Sequence, residues 1–566
     1  MRIATPPHIY RHAKRTGEVV AILVKYGFAD LVSRLQIEFP KDLVKDADGA
    51  AIARYSFATR VRLALTDAGP TFIKLGQVLS TRADLVGVEV ANELQKLQAN
   101  VPADPPATVR NIVENELGQP IDEIYAEFDE EAIASASIGQ VHRARLKSGE
   151  RVVVKVQHAG IEPKVDVDLE ILANLAAAAE AFFPELRNYR PKAVVAEFQR
   201  TLRRELDFGR EERHMEEFAN NFRENPTIHI PKAYPEYTTV RVLTMEQLEG
   251  AKLSDTERLL EQRYDLEEIA RRGAELYMEM IFTHGFYHAD PHPGNILVLK
   301  GQVIGLLDFG MVGRIDEPLR EDIEEMLLAL GNRDPLLLTS VIMRVGSVPA
   351  NLDQAALSSD INDFVSHYAG QRLSDFNLSG ALEEMTEIIR RYHIMLPARV
   401  AMLLKVLVML EGTSRLLNPS FSLVEVMAPF QRKLILRRWS PGRRLRKFRR
   451  IYAEMEHLVE VLPRNLLDIM QQVQSGKFDV HLDHRGLEPS VNRLVFGMLT
   501  SALFLGSSLL LSYKVPPLIS IPPWYETPWI QGLSVLGLLG SITSIALGLR
   551  LIRAINKSGH LDRRRS

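Results

Sequence analysis

Apolar and polar residues are spread very unevenly along this chain. Near the C-terminus, Leu494 to Tyr513 is a run of 20 residues without a charge, and Thr527 to Leu549 is a second of 23. Each can cross a bilayer as a helix, since about 20 apolar residues match the hydrocarbon core. Pro516, Pro517, Pro522 and Pro523 break the connector, and Tyr513, Trp524, Tyr525 and Trp529 stand where an aromatic belt lies. The pattern predicts a transmembrane hairpin; its competitor is a buried helical hairpin of a soluble core. Arg493 precedes the first span, while Arg550, Arg553, Lys557 and Arg563 to Arg565 follow the second, so the positive-inside rule puts body and tail in the cytoplasm. Gly497 and Ser501, then Gly537 and Ser541, have the small-xxx-small spacing that packs helices closely, within the hairpin or in a homodimer.

Upstream the periodicity changes several times. Residues 1 to about 120 are helical in pattern. Gly69-Pro70 marks a helix start, which places Lys74 and Gln77 on one face. Residues 8–28 suit either an amphipathic helix on a membrane surface or a helix packed in the core. The apolar stretch Val19 to Val24 is too short, and too closely followed by Lys25, for a cleavable signal peptide. Between about 121 and 160 the small-residue run Ala134 to Gln140 reads as a loop and Arg151 to Val156 as a buried strand. Helical signals return from Ile161 to about Asn221, and Pro231 to Thr244 reads as two short strands around Pro235-Glu236. Beyond Gly250 the pattern is helical to about 430, except for a hairpin of Ile296 to Val298 and Val303 to Leu307 around Lys300-Gly301. The fold class is therefore α+β.

Composition narrows the function classes. A chain of 566 residues with 46% apolar and 25% charged residues has ordinary globular usage and room for several domains. A net charge of -3 sets up no global field for nucleic acid. Residues 431–450 are the local exception, with ten Lys or Arg, no acid, and Trp439 and Phe448 interleaved. Beside a bilayer hairpin, anionic lipid headgroups are the simplest partner for that cluster, with nucleic acid as its rival. There is no cysteine, so disulfides, thiolate metal sites and cysteine nucleophiles are excluded.

The remaining chemistry is that of phosphoryl transfer from ATP. This needs a cation on the α/β-phosphates, carboxylate and amide ligands for Mg²⁺, and a carboxylate beside the acceptor. Lys155 lies in VVVKV like the strand lysine of V-A-I-K. Asp290 and Asn295 in HADPHPGN keep the spacing of H-R-D-L-x-x-x-N, and Asp308-Phe309-Gly310 follows thirteen residues later. D-F-G alone is a weak signal, whereas the ordered set with a hairpin between its last two members is specific. His288 and His292 have a metal-pair spacing without a clear third ligand, so hydrogen bonds that hold the catalytic loop are the better role for them.

With these residues in view, the chain resembles the UbiB family of aarF-domain atypical kinases over nearly its whole length. Lys74-Leu75-Gly76-Gln77 matches the family's K-x-G-Q helix, Ala134 to His142 (ASASIGQVH) its Ala-rich nucleotide loop, and Glu205-Leu206-Asp207 its E-x-D motif. The resemblance implies a kinase-like bilobal fold. A helical extension with K-x-G-Q would span 1–120, the N-lobe with a helical insertion 121–250, the helical C-lobe 251–430, a basic juxtamembrane region 431–490, and the membrane helices and tail 491–566. It also implies that Ile133, Ala134, Ser135, Ala136, Ser137, Ile138, Gly139, Gln140 and Val141 border ATP with Lys155, and that Glu211 pairs with Lys155. Asn295 and Asp308 would hold Mg²⁺ and Asp290 would be the catalytic aspartate. Glu205 and Asp207 would be partners of the Lys74, Gly76 and Gln77 segment, which gates the substrate site.

Departures from ordinary kinases bear on function. Gly139 is the single glycine where three would line a Gly-rich loop, Ala289 replaces the arginine of H-R-D, and no A-P-E anchor follows Gly310. Protein substrates are thereby disfavoured. The resemblance implies support of prenylquinone biosynthesis, ubiquinone above all, at a bacterial inner membrane. ATP hydrolysis would act there with lipid-soluble quinone precursors or quinone-biosynthesis enzymes. A true protein kinase and a nucleotide-sensing scaffold without turnover are the two rivals.

Overall fold

The computed structural model describes residues 6–29, 55–97, 101–368, 371, 376–438, 455, 487–519 and 532–557. The chain forms two compact units, Met1–Leu445 and Arg446–Ser566.

The first unit opens with helices α1 (Pro6–Lys25), α2 (Phe57–Ala68) and α3 (Pro70–Leu79). Gly69 takes a φ of +97°, open to glycine, and Pro70 occupies the first helical position, so α3 starts where the Gly-Pro pair predicts. The apolar face of α1 is covered by the protein itself. Val19 and Val20 are 2% exposed, and Val19 joins the core of Phe72 and Leu169. Arg15 pairs with the buried Asp168 at 2.7 Å. Of the two readings of residues 8–28, core packing is what the fold adopts; the surface-helix reading falls because its apolar stripe has a partner.

The N-lobe follows with β1 (Tyr125–Phe128), β2 (Ala134–Ser135), β3 (Gly139–Leu146) and β4 (Arg151–Gln157). Helices α4 (Ile161–Phe182) and α5 (Pro191–Glu205) are inserted before α6 (Phe208–Asn221), which accounts for the long gap between Lys155 and Glu211. Next come β5 (Ile228–His229), β6 (Val242–Glu246) and β7 (Ala251–Lys252). The antiparallel sheet runs β1-β3-β4-β6, with β2 alongside β3. Alternation places β4 between two cores: Val152, Val154 and Val156 pack with Ile121, Tyr125 and Val242, while Val153 faces the main core. Lys155 shares the Val153 face by the two-residue period. The two strands expected over Pro231 to Thr244 are not both formed. Pro231 and Pro235 have no N–H for a ladder, so the segment holds a 3-10 turn at Pro235–Tyr237 and a single bridge from Ala233 to Met245 before β6.

The C-lobe is built on α7 (Leu266–Met278), then β8 (Phe286–His288), β9 (Ile296–Leu299), β10 (Val303–Leu306) and β11 (Val312–Arg314). The predicted hairpin is β9 and β10, paired from Leu299↔Val303 to Ile296↔Leu306. Strand β11 pairs with β8 through His288↔Val312, a feature too short to show a period. Helices α8 (Glu317–Gly331), α9 (Pro335–Val345), α10 (Gln354–Tyr368), α11 (Leu378–Arg391), α12 (Ala398–Leu417) and α13 (Leu423–Arg438) complete the unit.

The second unit holds α14 (Leu487–Ser512) and α15 (Val535–Lys557). Leu494–Ser512 and Val535–Arg553 are long and apolar enough to cross a membrane, and only 6% and 11% of these windows is buried. The second helix begins eight residues later than its uncharged run. Ser534 caps it by accepting from Gly537 N, and the helix therefore carries Arg550 and Arg553 within its last turns. The helices meet where Gly537 leaves room for Leu511 and Ser507, and where Gly540 faces Ser507. Trp524, Tyr525, Trp529, Pro522, Pro523 and most of the basic cluster at 431–450 lie outside the described residues.

Candidate active site

The face alternation of β4 sends Lys155 to the first turn of α6, where its Nζ donates to both oxygens of Glu211 at 2.9 and 2.8 Å. Glu211 Oε1 also accepts from Phe309 N at 3.2 Å, and His214, one turn along α6, bonds through Nδ1 to Phe309 O at 3.0 Å. The first two turns of one helix thus hold both the strand lysine and the D-F-G backbone. Phe309 is fully buried against Phe218 and His288. Asp308 sits at φ +56°, a left-handed conformation uncommon outside glycine that aspartate adopts more readily than most residues. Its Oδ1 lies 3.6 Å from Lys155 Nζ and accepts from Gly310 N.

The electrostatics follow from this packing. Burial alone would lower the Lys155 ammonium, yet Asp308 and Glu211 together raise it above its ordinary value. Lys155 in turn holds the Asp308 carboxylate well below the usual range. Both directions keep the pair charged, although the Asp308 side chain is 55% exposed toward the cleft.

The HADPHPGN segment is ordered by its own histidines. His288 Nε2 donates to Asp308 O at 2.6 Å, while its Nδ1 accepts from Asp290 N at 3.2 Å, so the imidazole ties the catalytic loop to D-F-G. His292 Nδ1 accepts from Gly294 N and caps the turn Pro293–Asn295. Both histidines serve as hydrogen-bonding posts, as the sequence suggests. Asn295 Nδ2 donates to Asp290 Oδ2 at 2.8 Å. Among the described residues no hydrogen bond engages its amide oxygen.

The Ala-rich segment is a hairpin loop closed by Ala136 N on Gly139 O at 2.8 Å. A side chain at Gly139 would strike Val156 O, so glycine is required there for close strand approach rather than for looseness. Several of the proposed nucleotide-loop side chains are engaged elsewhere. Ile138 joins the main core, and Gln140 is buried, accepting from Asp104 N at 2.6 Å and bonding His142. Ser137 is also buried, and Ser135 leans on His158, while Ile133, Ala134 and Ala136 are exposed. The loop thus presents backbone and small side chains. Val141, on β3, pairs with Lys155 across the ladder.

The K-x-G-Q and E-x-D segments meet only in part. Lys74 forms a buried ion pair with Glu205. Burial pulls Lys74 down, but Glu205, Asp308 and Asp290 together raise it above its ordinary value. Gln77 does not share that position; its Nε2 donates to Leu97 O at 3.3 Å. Nor does Asp207 partner the segment: it stands at the start of α6 and pairs with Arg213 at 3.6 Å. Gly76 lets α3 approach Leu97 and Leu65. One residue of the site escaped the motif reading. His214 has a helical spacing from Glu211 as its only sequence signal.

Comparison with known proteins identifies the family. The ABC1 atypical kinase-like domain matches residues 96–341, the UbiB helical domain 361–422 and the ABC1/UbiB kinase-like C-terminal domain 481–557. A Clostridium pasteurianum protein described as "Uncharacterized protein in hydrogenase 1 5'region" is 30% identical, over 97% of this chain and 99% of its own length. "Probable protein kinase UbiB" of Pseudomonas aeruginosa is 35% identical over 73% of this chain and 78% of that protein. "Uncharacterized protein slr1919" of Synechocystis sp. is 35% identical over 68% of both. With its kinase-like-domain, helical-domain and C-terminal matches in this order and its likeness to relatives along most of its length, the chain belongs to the UbiB family of atypical kinase-like proteins.

Proposed function

We propose that this protein is a membrane-anchored, ATP-dependent phosphotransferase or ATPase that supports ubiquinone, or another prenylquinone, biosynthesis. The observation that carries this reading is the closed link from Lys155 through Glu211 to Phe309 N, with Asp308 3.6 Å from the same ammonium. Kinase-type transfer needs both the lysine–glutamate pair and the D-F-G aspartate in place.

In this reading Lys155 holds the α/β-phosphates and Glu211 orients it. The donor set suits Mg²⁺, because Asp308 offers a half-exposed carboxylate and Asn295, whose amide nitrogen is spent on Asp290, has its amide oxygen to offer. Bound there, Mg²⁺ supplies positive charge to the phosphate oxygens. Asp290 takes the proton from an attacking water or hydroxyl. A new O–P bond forms at the γ-phosphorus, the bond to the β,γ-bridging oxygen breaks, and ADP leaves.

Two features support water or a small lipid-like acceptor over a protein. The buried Lys74–Glu205 pair closes in on the D-F-G turn, where Glu205 comes near Gly310 and Lys74 feels the charges of both Asp308 and Asp290. After Gly310 the chain passes through β11 straight into α8, with no long segment on which a peptide could lie. The apolar helices α14 and α15 suit work on quinone precursors dissolved in a bilayer.

The test uses the full-length protein in detergent. Mg²⁺-dependent phosphate release should fall at least about 100-fold in Asp308→Asn, the scale expected for losing a major electrostatic group at a transfer site. Release at the unaltered rate would refute the site. Stoichiometric label on a protein in trans, lost in Asp290→Asn, would favour the protein-kinase activity named for the Pseudomonas relative.

A further inference from the structure

His158 follows β4 directly, belongs to none of the motifs, and is only 6% exposed. Each nitrogen of its ring faces an oxygen. Nδ1 lies 3.1 Å from Asp104 Oδ2, while Nε2 donates to Ala136 O at 3.0 Å with Ser135 Oγ beside it at 3.4 Å. The backbone N of His158 donates to Ile138 O at 3.0 Å. Asp104, just before the helix Pro106–Leu117, completes the bracket around the nucleotide loop. Its Oδ2 also accepts from Ala159 N at 2.9 Å, and its own N donates to Gln140 Oε1 at 2.6 Å.

These bonds fix the direction of one peptide. The imidazole draws Ala136 O toward the buried side of the loop. In a trans peptide the next N–H points opposite to the carbonyl, so Ser137 N–H is turned away from His158. Among the described residues no hydrogen bond takes that N–H. A backbone N–H turned out of a short loop is a donor suited to a phosphate oxygen. With the single Gly139 in place of three glycines, the loop has little freedom to wrap a phosphate unaided, and its aim depends on what it is tied to.

We propose that Asp104 and His158 are a positioning pair for the nucleotide loop. Asp104 orients the imidazole, and the imidazole holds the Ala136–Ser137 peptide so that its N–H is aimed at a phosphate oxygen of the bound nucleoside triphosphate. Neither side chain touches the nucleotide, and no proton is exchanged with it. The proposal rests on the nucleotide reading above.

Calorimetric titration of the full-length protein in detergent, with Mg-ATP and with adenosine, separates aim from mere structure, since adenosine has the same base and sugar but no phosphate. His158→Leu should lose roughly tenfold in Mg-ATP affinity, the scale of one hydrogen bond to a charged group, and keep its adenosine affinity. His158→Gln, whose amide N–H can reach Ala136 O, should recover most of the loss. Asp104→Ala should also weaken Mg-ATP binding, yet add little on top of His158→Leu, as groups acting as one unit do. Unchanged Mg-ATP affinity in His158→Leu, an equal loss for adenosine, or additive losses in the double variant would overturn the role of the pair while leaving the nucleotide site in place. Absence of Mg-ATP binding to the unaltered chain would instead remove the nucleotide reading, and this inference with it. Should the leucine variant fail to fold, Asp104→Ala carries the same comparison of Mg-ATP with adenosine.

Discussion

Lys74 and Glu205 face each other with side chains only 9% and 11% exposed. Charges so far from water depend on each other, and removing one partner of a buried pair costs about 3–5 kcal/mol because the other is stranded. Lys74→Met should therefore lower the unfolding midpoint markedly in detergent, and adding Glu205→Gln should recover most of the loss. A double variant no more stable than the single one would contradict the pairing. At this scale the sequence was most legible where chemistry demands a residue type at fixed spacing. Asp290, Asn295 and Asp308 come from a short stretch whose order alone identifies them. Asp207 and Gln77 were assigned by belonging to a motif, and their side chains turn to Arg213 and Leu97 instead. A motif states which residues recur together, and a rotation of about 100° per helical residue decides where each points.

Helix α3 shows how one element sets the geometry of the cleft. A side chain at Gly76 would collide with Leu97 and come within 3.0 Å of Leu65. Gly76→Val should destabilise the fold by about 1–3 kcal/mol, the usual cost of overpacking. Leu97→Ala in the same chain should restore part of that. Equal midpoints for Gly76→Val and the unaltered protein would mean that the approach of α3 is not tight. Among the elements, long periodic helices and the β9–β10 hairpin were readable, because burial of a face imposes a period or a turn. Strands β7, β8 and β11 were not, since two or three residues cannot display alternation. The Pro231 to Thr244 segment misled for a related reason: its β-branched residues suit a strand, but its prolines deny the ladder its donors.

For the molecule as a whole, the decisive contrast is between a kinase-like body with large buried cores and two helices whose apolar windows are hardly buried at all. Ending the chain before Leu487 should release it from membranes in a flotation assay. Retention would assign the attachment to the basic segment of residues 431–450 instead. The first helix does not supply such an anchor through Val19 and Val20, because both are packed inside.

The amino-acid sequence by itself determined the family, the order of the lysine, asparagine and aspartates, and the two apolar spans. Each of these depends on residue type and local spacing. Tertiary structure decided what those residues do to one another: that Glu211 reaches both Lys155 and Phe309 N, and that Glu205, rather than Asp207, pairs with Lys74. The physical reason is that hydrogen bonds and ion pairs act over a few ångströms in space, whereas these partners are separated by tens to hundreds of residues along the chain.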